Sequence, residues 1–140
     1  INIIEILREK LGWNLRGLKC NFFNPSPEII IQEGSAVFTI GTLEQLGNDF
    51  KPLLNLMLLS KPEICVHIET ISELYDNENL LDYLAFGFDR KRGYLDGFLN
   101  ELKQLESMGK IELINVLKLS FGSLYHDGYS IIVWHPKSII

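Results

Sequence analysis

The first stretch of the chain has the apolar spacing of a short amphipathic helix. Its apolar residues recur at three- to four-residue intervals, at Ile3, Ile4, Leu7 and Leu11, as they do along one face of a helix. Gly12 follows, and glycine is common just past the last helical turn. The pattern predicts a helix that packs this face on the core.

The next stretch changes to a pattern typical of strands. Three apolar-rich segments follow one another, at residues 18–23, 28–32 and 35–40. The sequence "NPSP" at 24–27 separates the first two, because proline restricts the backbone and lacks an amide donor. Glu33-Gly34 joins the second to the third as a short connection of hairpin type. We therefore expect three antiparallel strands.

A strongly apolar helix is predicted from Thr42 onward. Thr42 and Gln45 have the spacing of a capping box, which closes the first turn of a helix. Pro52 lies inside the helical pattern, and proline is costly there. We expect a kink, or two shorter helices, near residues 48–51, with the apolar side chains forming the central buried helix.

The segment "EICVHIET", residues 63–70, reads as a strand with two unlike faces, because side chains alternate along a strand. The polar set is Cys65, His67 and Glu69, and the aliphatic set is Ile64, Val66 and Ile68. We expect the aliphatic set to face the core and the polar set to line the less buried side.

Two more helices are predicted between residues 72 and 109. The first begins after Ser72 or Asn77, either of which can cap it. The second has the clearest helical pattern in the chain, with Asp89 as its cap and Gly109 just past its end. Its apolar stripe consists of Tyr94, Leu95, Phe98, Leu99, Leu102 and Leu105.

Two strands complete the chain. The first carries an apolar face that only Asn115 interrupts, formed by Ile111, Leu113, Leu117, Leu119 and Phe121. Such alternation is typical of a strand buried on one side only. Asp127-Gly128 is a turn signal, and residues 129–135 return as the partner strand.

Together these elements predict an α+β fold, with helices packed on one face of a mostly antiparallel sheet of about six strands. The chain of 140 residues has the size of one ordinary domain. We therefore expect residues 1–140 to form a single globular domain.

The composition narrows the classes of partner. The 13 basic residues are outnumbered by 18 acidic ones, for a net charge of −5, which disfavours nucleic acid and anionic membranes. No apolar run approaches the length of a membrane span. Cys20 and Cys65 have no metal-binding spacing and indicate no disulfide. We expect a cytoplasmic protein without a cofactor.

Candidate catalytic residues lie in two places. His67 and Glu69 share a strand face, and His126 and Asp127 precede the last strand. Histidine titrates near neutrality and a carboxylate can orient it, so these types suit acid–base work. The ordinary interpretation is the one we favour: a partly solvated sheet face, or a histidine hydrogen-bonded under a helix, together with an Asp-Gly turn. The histidines have no ligand spacing, so no metal site is predicted.

Candidate binding residues form a basic group and an aromatic group: Arg90, Lys91 and Arg92, and Tyr125, Tyr129 and Trp134. The basic group falls near the start of the predicted second helix, where the helix dipole disfavours cations. Local conflicts of this kind are enriched at functional sites. Aromatic side chains with a polar end are favoured at binding surfaces.

The first functional hypothesis is a non-catalytic binding or regulatory domain that acts through protein–protein contact, including self-association. The chain lacks catalytic motifs, and the helix around Pro52 has more apolar side chains than one face requires. Its surplus residues, Leu56 and Leu59, are available for contact with another protein or a second copy.

Two alternatives stay open. Residues 78–136 are predicted as helix, helix and hairpin, an order that resembles the second half of a winged-helix domain and implies nucleic-acid binding. The other alternative is a small enzyme that uses His67 and Glu69 with His126 or Asp127.

Overall fold

One four-stranded sheet with helices on one side forms the centre of the structure. The computed structural model describes residues 2–119 and 128–137. Its strands are β1 (Ala36–Ile40), β2 (Ile64–Glu69), β3 (Ile111–Lys118) and β4 (Ser130–Pro136), and their spatial order is β1-β2-β4-β3. Its helices are α1 (Asn2–Leu11), α2 (Lys51–Ser60), α3 (Leu80–Arg92) and α4 (Phe98–Ser107), with short 3₁₀ turns at Leu43–Leu46 and Ser72–Leu74.

The predicted α+β class is confirmed, but the predicted sheet is wrong. The sheet has four strands rather than six and is mixed rather than mostly antiparallel. β1 and β2 run parallel, whereas β4 is antiparallel to both β2 and β3. Parallel neighbours need a crossover connection, and α2 lies in that connection.

The two missing strands are residues 18–23 and 28–32, which have irregular structure. The turn at Glu33-Gly34 does form, and the amide of Ser35 donates to the carbonyl of Gln32 at 3.2 Å. The chain before the turn does not pair with β1, however, and β1 is an edge strand whose one partner among the described residues is β2. Apolar content alone therefore does not make a strand.

The core lies between the sheet and two helices, α2 and α4. Leucine-rich faces of both helices turn toward the sheet, and Phe98 of α4 meets the ring of Phe50 edge-on at 5.3 Å. The fully or nearly fully buried apolar residues are Leu43, Leu46, Phe50, Leu53, Leu54, Met57, Cys65, Ile71, Leu95, Phe98, Leu99, Leu102, Leu105, Ile111, Ile132 and Trp134. The stripe predicted before Gly109 thus does face the core.

The predicted helix after Asp89 is divided in the structure. The first residues of the predicted helix belong to the last turn of α3. Gly93, with a positive φ of 67°, ends α3, and α4 begins after Gly97, with a φ of 81°. The cap of α3 is Asn79, whose side chain accepts from the amide of Leu81 at 2.9 Å. Ser72, Asn77 and Asp89 do not cap these helices.

Two further differences come from local geometry. α1 and its end at Gly12 are present, but Ile3, Ile6 and Leu11 are about half or more exposed, so this helix is not part of the core. In β3 a bulge between Leu113 and Asn115 reverses the alternation. As a result Leu117, expected in the core, is 45% exposed.

Pro52 behaves as the sequence indicates. The 3₁₀ turn at Leu43–Leu46 and α2 are separate elements. Pro52 lies in the first turn of α2, where a backbone amide would have no acceptor within the helix, so the missing amide of proline costs no hydrogen bond. Between them, Gly47 adopts φ 55° and ψ −122°, which side-chain-bearing residues avoid. A Cβ there would lie 2.9 Å from the carbonyl oxygen of Gly93.

Replacing Gly47 with alanine should therefore destabilise the fold, because both the backbone angles and the contact with Gly93 oppose a side chain. We expect Gly47→Ala to lower the free energy of unfolding by about 1–3 kcal/mol in urea denaturation. Gly87→Ala is the matched control: nothing lies within 4 Å of a Cβ there, and alanine favours helix. Equal stabilities of the two variants would contradict this account.

Candidate functional site

The polar face of β2 is the buried face, opposite to the prediction. Cys65, His67 and Glu69 are each 0% exposed, and they point toward α2 and α4. The aliphatic residues Ile64, Val66 and Ile68 are half-buried on the other side. Alternation correctly separates the two sets but does not say which side the helices cover, and β2 is a central strand with neighbours on both edges.

A chain of hydrogen bonds crosses three strands through His67. The indole Nε1 of Trp134 on β4 donates to Nε2 of His67 at 2.9 Å. Nδ1 of a neutral ring then carries the proton, and it lies 2.9 Å from Oγ1 of Thr39 on β1. The Thr39 hydroxyl in turn is hydrogen-bonded to the Glu69 carboxylate. Each group can thus donate to the next in one direction.

Glu69 ends this chain and also caps a turn. Its carboxylate accepts from the backbone amides of Thr42 at 3.2 Å, Leu43 at 3.1 Å and Glu44 at 3.4 Å. These are the amides that the 3₁₀ turn at Leu43–Leu46 leaves without partners. The predicted capping box is therefore wrong: the Thr42 hydroxyl donates to the carbonyl of Ile40 at 2.9 Å, and the cap comes from β2.

Burial moves the titration of these groups away from neutral pH. Desolvation lowers the pKa of His67 to about 4 and raises the pKa of the Cys65 thiol to about 12. Burial also raises the pKa of Glu69, against the opposing effect of hydrogen bonds from Thr39 and the three amides. Near neutral pH the imidazole is neutral and the thiol is protonated, so neither group is prepared for acid–base or nucleophilic work.

Of the four predicted catalytic residues, the described part of the chain contains His67 and Glu69, which the Thr39 hydroxyl links. His67 and Glu69 are sealed under the helices, and the ring of Phe98 stands edge-on to His67 at 5.3 Å. His126 and Asp127 lie outside the described residues, as does Tyr125 of the binding set. In residues 2–119 and 128–137, no three His, Cys, Asp or Glu side chains are grouped as a metal site would require.

The remaining predicted binding residues separate into buried and exposed ones. Trp134 is 0% exposed and belongs to the buried chain, whereas Tyr129 is 41% exposed. Arg90, Lys91 and Arg92 are exposed in the last turn of α3. The helix dipole favours cations at this end, so the electrostatic conflict inferred from the sequence is wrong.

The sheet face opposite α2 and α4, here named the open face, carries mostly apolar side chains. The register aligns Ile40, Ile68, Ile131 and Leu117 across the four strands in one row, and Phe38, Val66, Val133 and Asn115 in the next. The outer positions are the most exposed, with Phe38 at 58%, Ile40 at 51% and Leu117 at 45%. A third row, across Ile64, ends in the polar pair His135 and Glu112, whose side chains are 3.5 Å apart.

α3 also has an unusual distribution of side chains. Its buried residues are Asp82 and Asp89, while Leu80, Leu81, Tyr83 and Leu84 are 56–69% exposed. Asp82 accepts from the amide of Asp76 at 2.7 Å and forms an ion pair with Lys118 of β3. Although burial raises the pKa of Asp82, these two partners outweigh it and hold the pKa below its usual value.

A cleft of about 350 Å³ lies beside the end of α3, with Ser72, Asp89, Arg90, Tyr94 and Asp96 among its lining residues. Asp89 already accepts a hydrogen bond from the hydroxyl of Tyr75 at 2.7 Å. The cleft therefore has no unengaged buried acceptor to define a ligand.

Comparison with protein-family models, curated proteins and solved structures gives no match for this chain. Within the described ranges, no helix is both long and apolar enough to cross a membrane. Sequence reasoning missed Thr39, although its position two residues from Val37 on a neighbouring apolar strand was a signal for a buried polar partner.

Removing the Glu69 carboxylate should leave three amides of the 42–44 segment without an acceptor. We expect Glu69→Ala to lower the free energy of unfolding by about 2–4 kcal/mol in urea denaturation, and to accelerate amide hydrogen exchange at residues 42–44. Glu33→Ala, at an exposed turn, serves as the control and should change stability little. Unchanged exchange at 42–44 would contradict the capping role.

His67 should make stability depend on pH. The unfolded chain binds a proton near pH 6.5 and the folded chain only near pH 4, so stability falls as pH drops through this window. The full effect is about 3 kcal/mol. The raised pKa of Glu69 has the opposite effect on the pH dependence of stability. The stability that this carboxyl contributes is lost as pH rises through its pKa in the folded state.

The comparison of variants isolates the His67 contribution. We expect His67→Asn to be less stable than the parent at pH 7 but to lose the decline between pH 6.5 and about 5. His135→Asn, at a partly exposed histidine on β4, should keep that decline. The measurement is urea denaturation at several pH values, and an identical slope in His67→Asn would count against a neutral buried ring.

Proposed function

We propose that this chain is a non-catalytic protein-interaction domain whose contact surface is the open face of the sheet. The observation that carries the proposal is that α2 and α4 cover one face, while the other has exposed apolar residues on the outer strands β1 and β3 and half-buried aliphatic residues on β2 and β4. Large apolar patches on proteins commonly mark contact sites. Four strands about 4.8 Å apart and five residues long give a patch of roughly 300 Å².

The shape of this face favours a helix of the partner protein. On this face Phe38 and Ile40 lie on β1, and Leu117 lies on β3. The outer strands are about 14 Å apart, whereas a helix with its side chains is about 10–12 Å wide. A partner helix would lie over β2 and β4, with apolar residues on the side that faces Val66 and Ile131.

The edge of the face suggests the orientation of that helix. Three polar residues, Glu112, His135 and Lys137, lie at the end of the open face farthest from Ile40. The carboxylate of Glu112 is 3.5 Å from His135 and 3.6 Å from Lys137. The centre of the open face is uncharged. A fitting partner helix therefore has an uninterrupted apolar stripe and polar residues only toward this end.

The buried polar chain supports a non-catalytic role. Its members are engaged with each other, and burial moves the pKa of His67 and of Cys65 away from the range of general acid–base catalysis. The winged-helix alternative has less support, because β4 is a central strand that pairs with β2. Both strands of the predicted hairpin are therefore part of the four-stranded sheet.

A photo-crosslinking amino acid at position 38 tests the proposed surface. In cells that produce the native protein, we expect Phe38→benzoylphenylalanine to give a discrete adduct that disappears when Ile40→Asp is added. The second substitution should change the free energy of unfolding by less than about 1 kcal/mol, because Ile40 is half exposed at the sheet edge.

Leu59 supplies the matched control for the crosslinking. It is 82% exposed on α2, on the helical side of the sheet, and the same photoreactive group there should give no such adduct. Adducts of equal yield from positions 38 and 59, or an adduct that survives Ile40→Asp in a folded protein, would contradict the open face as the docking site. Leu56, by contrast, is partly buried and packs against the core.

A further inference from the structure

The outward side of α3 carries a seam of the kind that joins two helices. Leu80, Leu84, Gly87 and Lys91 are spaced by four, three and four residues, so they align along one exposed side of the helix. Leu80 is 69% and Leu84 56% exposed, and Tyr83 beside them is 59% exposed. Because Asp82 and Asp89 occupy the inward side, this seam is not available to the core.

Gly87 forms a hole in the seam. Nothing lies within 4 Å of the place where its Cβ would be, and its φ is not in the left-handed region. Folding therefore gives no reason for glycine here, and glycine within a helix costs about 1 kcal/mol relative to alanine. A small residue on an outward seam lets another helix approach closely, as a leucine of the second helix fills the space.

The two ends of α3 have opposite charge. Asp76 and Glu78 precede the helix and are exposed, and Arg90, Lys91 and Arg92 end it. If a second copy of α3 packs antiparallel against the first, Leu84 of each copy can lie over Gly87 of the other. The same register places Lys91 of each copy beside Leu80 and within reach of Glu78 of the other.

We propose that the outward face of α3 is the interface of a symmetric homodimer, in which the two α3 helices pack antiparallel. The interface is isologous, so every favourable contact occurs twice. Charge complementarity singles out a second copy as the occupant, since this helix carries both the apolar seam and the opposite charges at its two ends. One helix pair buries less than the roughly 1,200 Å² of a stable complex, so the dimer is weak and depends on concentration.

Sedimentation velocity from about 10 µM to about 1 mM measures this association. We expect the parent chain to pass from monomer to dimer in this range, and Leu84→Glu to weaken association at least about tenfold, which is about 1.4 kcal/mol. Gly87→Ala should also weaken association although it leaves the monomer as stable or more stable. Weaker dimerisation of a monomer that is no less stable would show that Gly87 acts at the interface and not in folding. Leu59→Glu, on α2, should leave association unchanged.

A charge exchange tests the antiparallel register. We expect Glu78→Lys and Lys91→Glu each to weaken dimerisation and the double variant to restore it. Within one chain the two residues are 13 positions and about 20 Å apart, so restoration requires a contact between copies. In a parallel pair Lys91 would face Lys91, and the double variant would bring no recovery.

Three outcomes would overturn the proposal: a parent chain that stays monomeric at about 1 mM, a dimer that survives Leu84→Glu, or single charge variants without recovery in the pair. A dimer that is lost in Ile40→Asp and kept in Leu84→Glu would place the contact on the open sheet face instead. The dimer proposal and the proposed function thus fail by different results.

Discussion

The structure depends on the requirement that a carboxylate with no access to water must have its hydrogen bonds satisfied by the protein. Glu69 meets this requirement with three backbone amides and the Thr39 hydroxyl. Through Thr39 and His67 the same set of bonds reaches Trp134 on β4. One connected network therefore joins β1, β2, β4 and the start of the helical layer. A network of this kind specifies a single arrangement, because any shift leaves a buried group unpaired.

Burial also makes the charged forms of the interior groups unfavourable. A histidine, a cysteine and a glutamate on one strand face are the residue types of an active site, yet here each is desolvated and packed. Desolvation disfavours the charged forms that general bases and thiolate nucleophiles use, and the ring of Phe98 closes over His67. Among the described residues, the unusual surface features are the open sheet face and the outward side of α3.

The sequence predicted the positions of helices and strands better than it predicted which strands pair and which faces are buried. Helical spacing found α2 and α4 because both have an apolar stripe, and Pro52 marked the start of α2. Periodicity does not determine which side of β2 faces the helices, because that depends on where the crossover lies. It likewise found apolar segments at 18–23 and 28–32, but an apolar segment becomes a strand only when it pairs with another, and these two do not pair. The bulge near Asn115 was visible only as a break in the pattern, and the division at Gly93 and Gly97 was hidden by a continuous stripe.

α3 carries its leucines on the surface and two of its carboxylates inside. Asp82 and Asp89 connect this helix to its surroundings through Asp76, Lys118 and Tyr75, so the helix is held without burying its leucines. A monomer gains nothing from exposing such residues, and substitution by polar ones would be cheap in the folded chain. Their presence beside Gly87, which also costs helix stability, is explained if these positions contribute to a contact that the isolated chain does not contain.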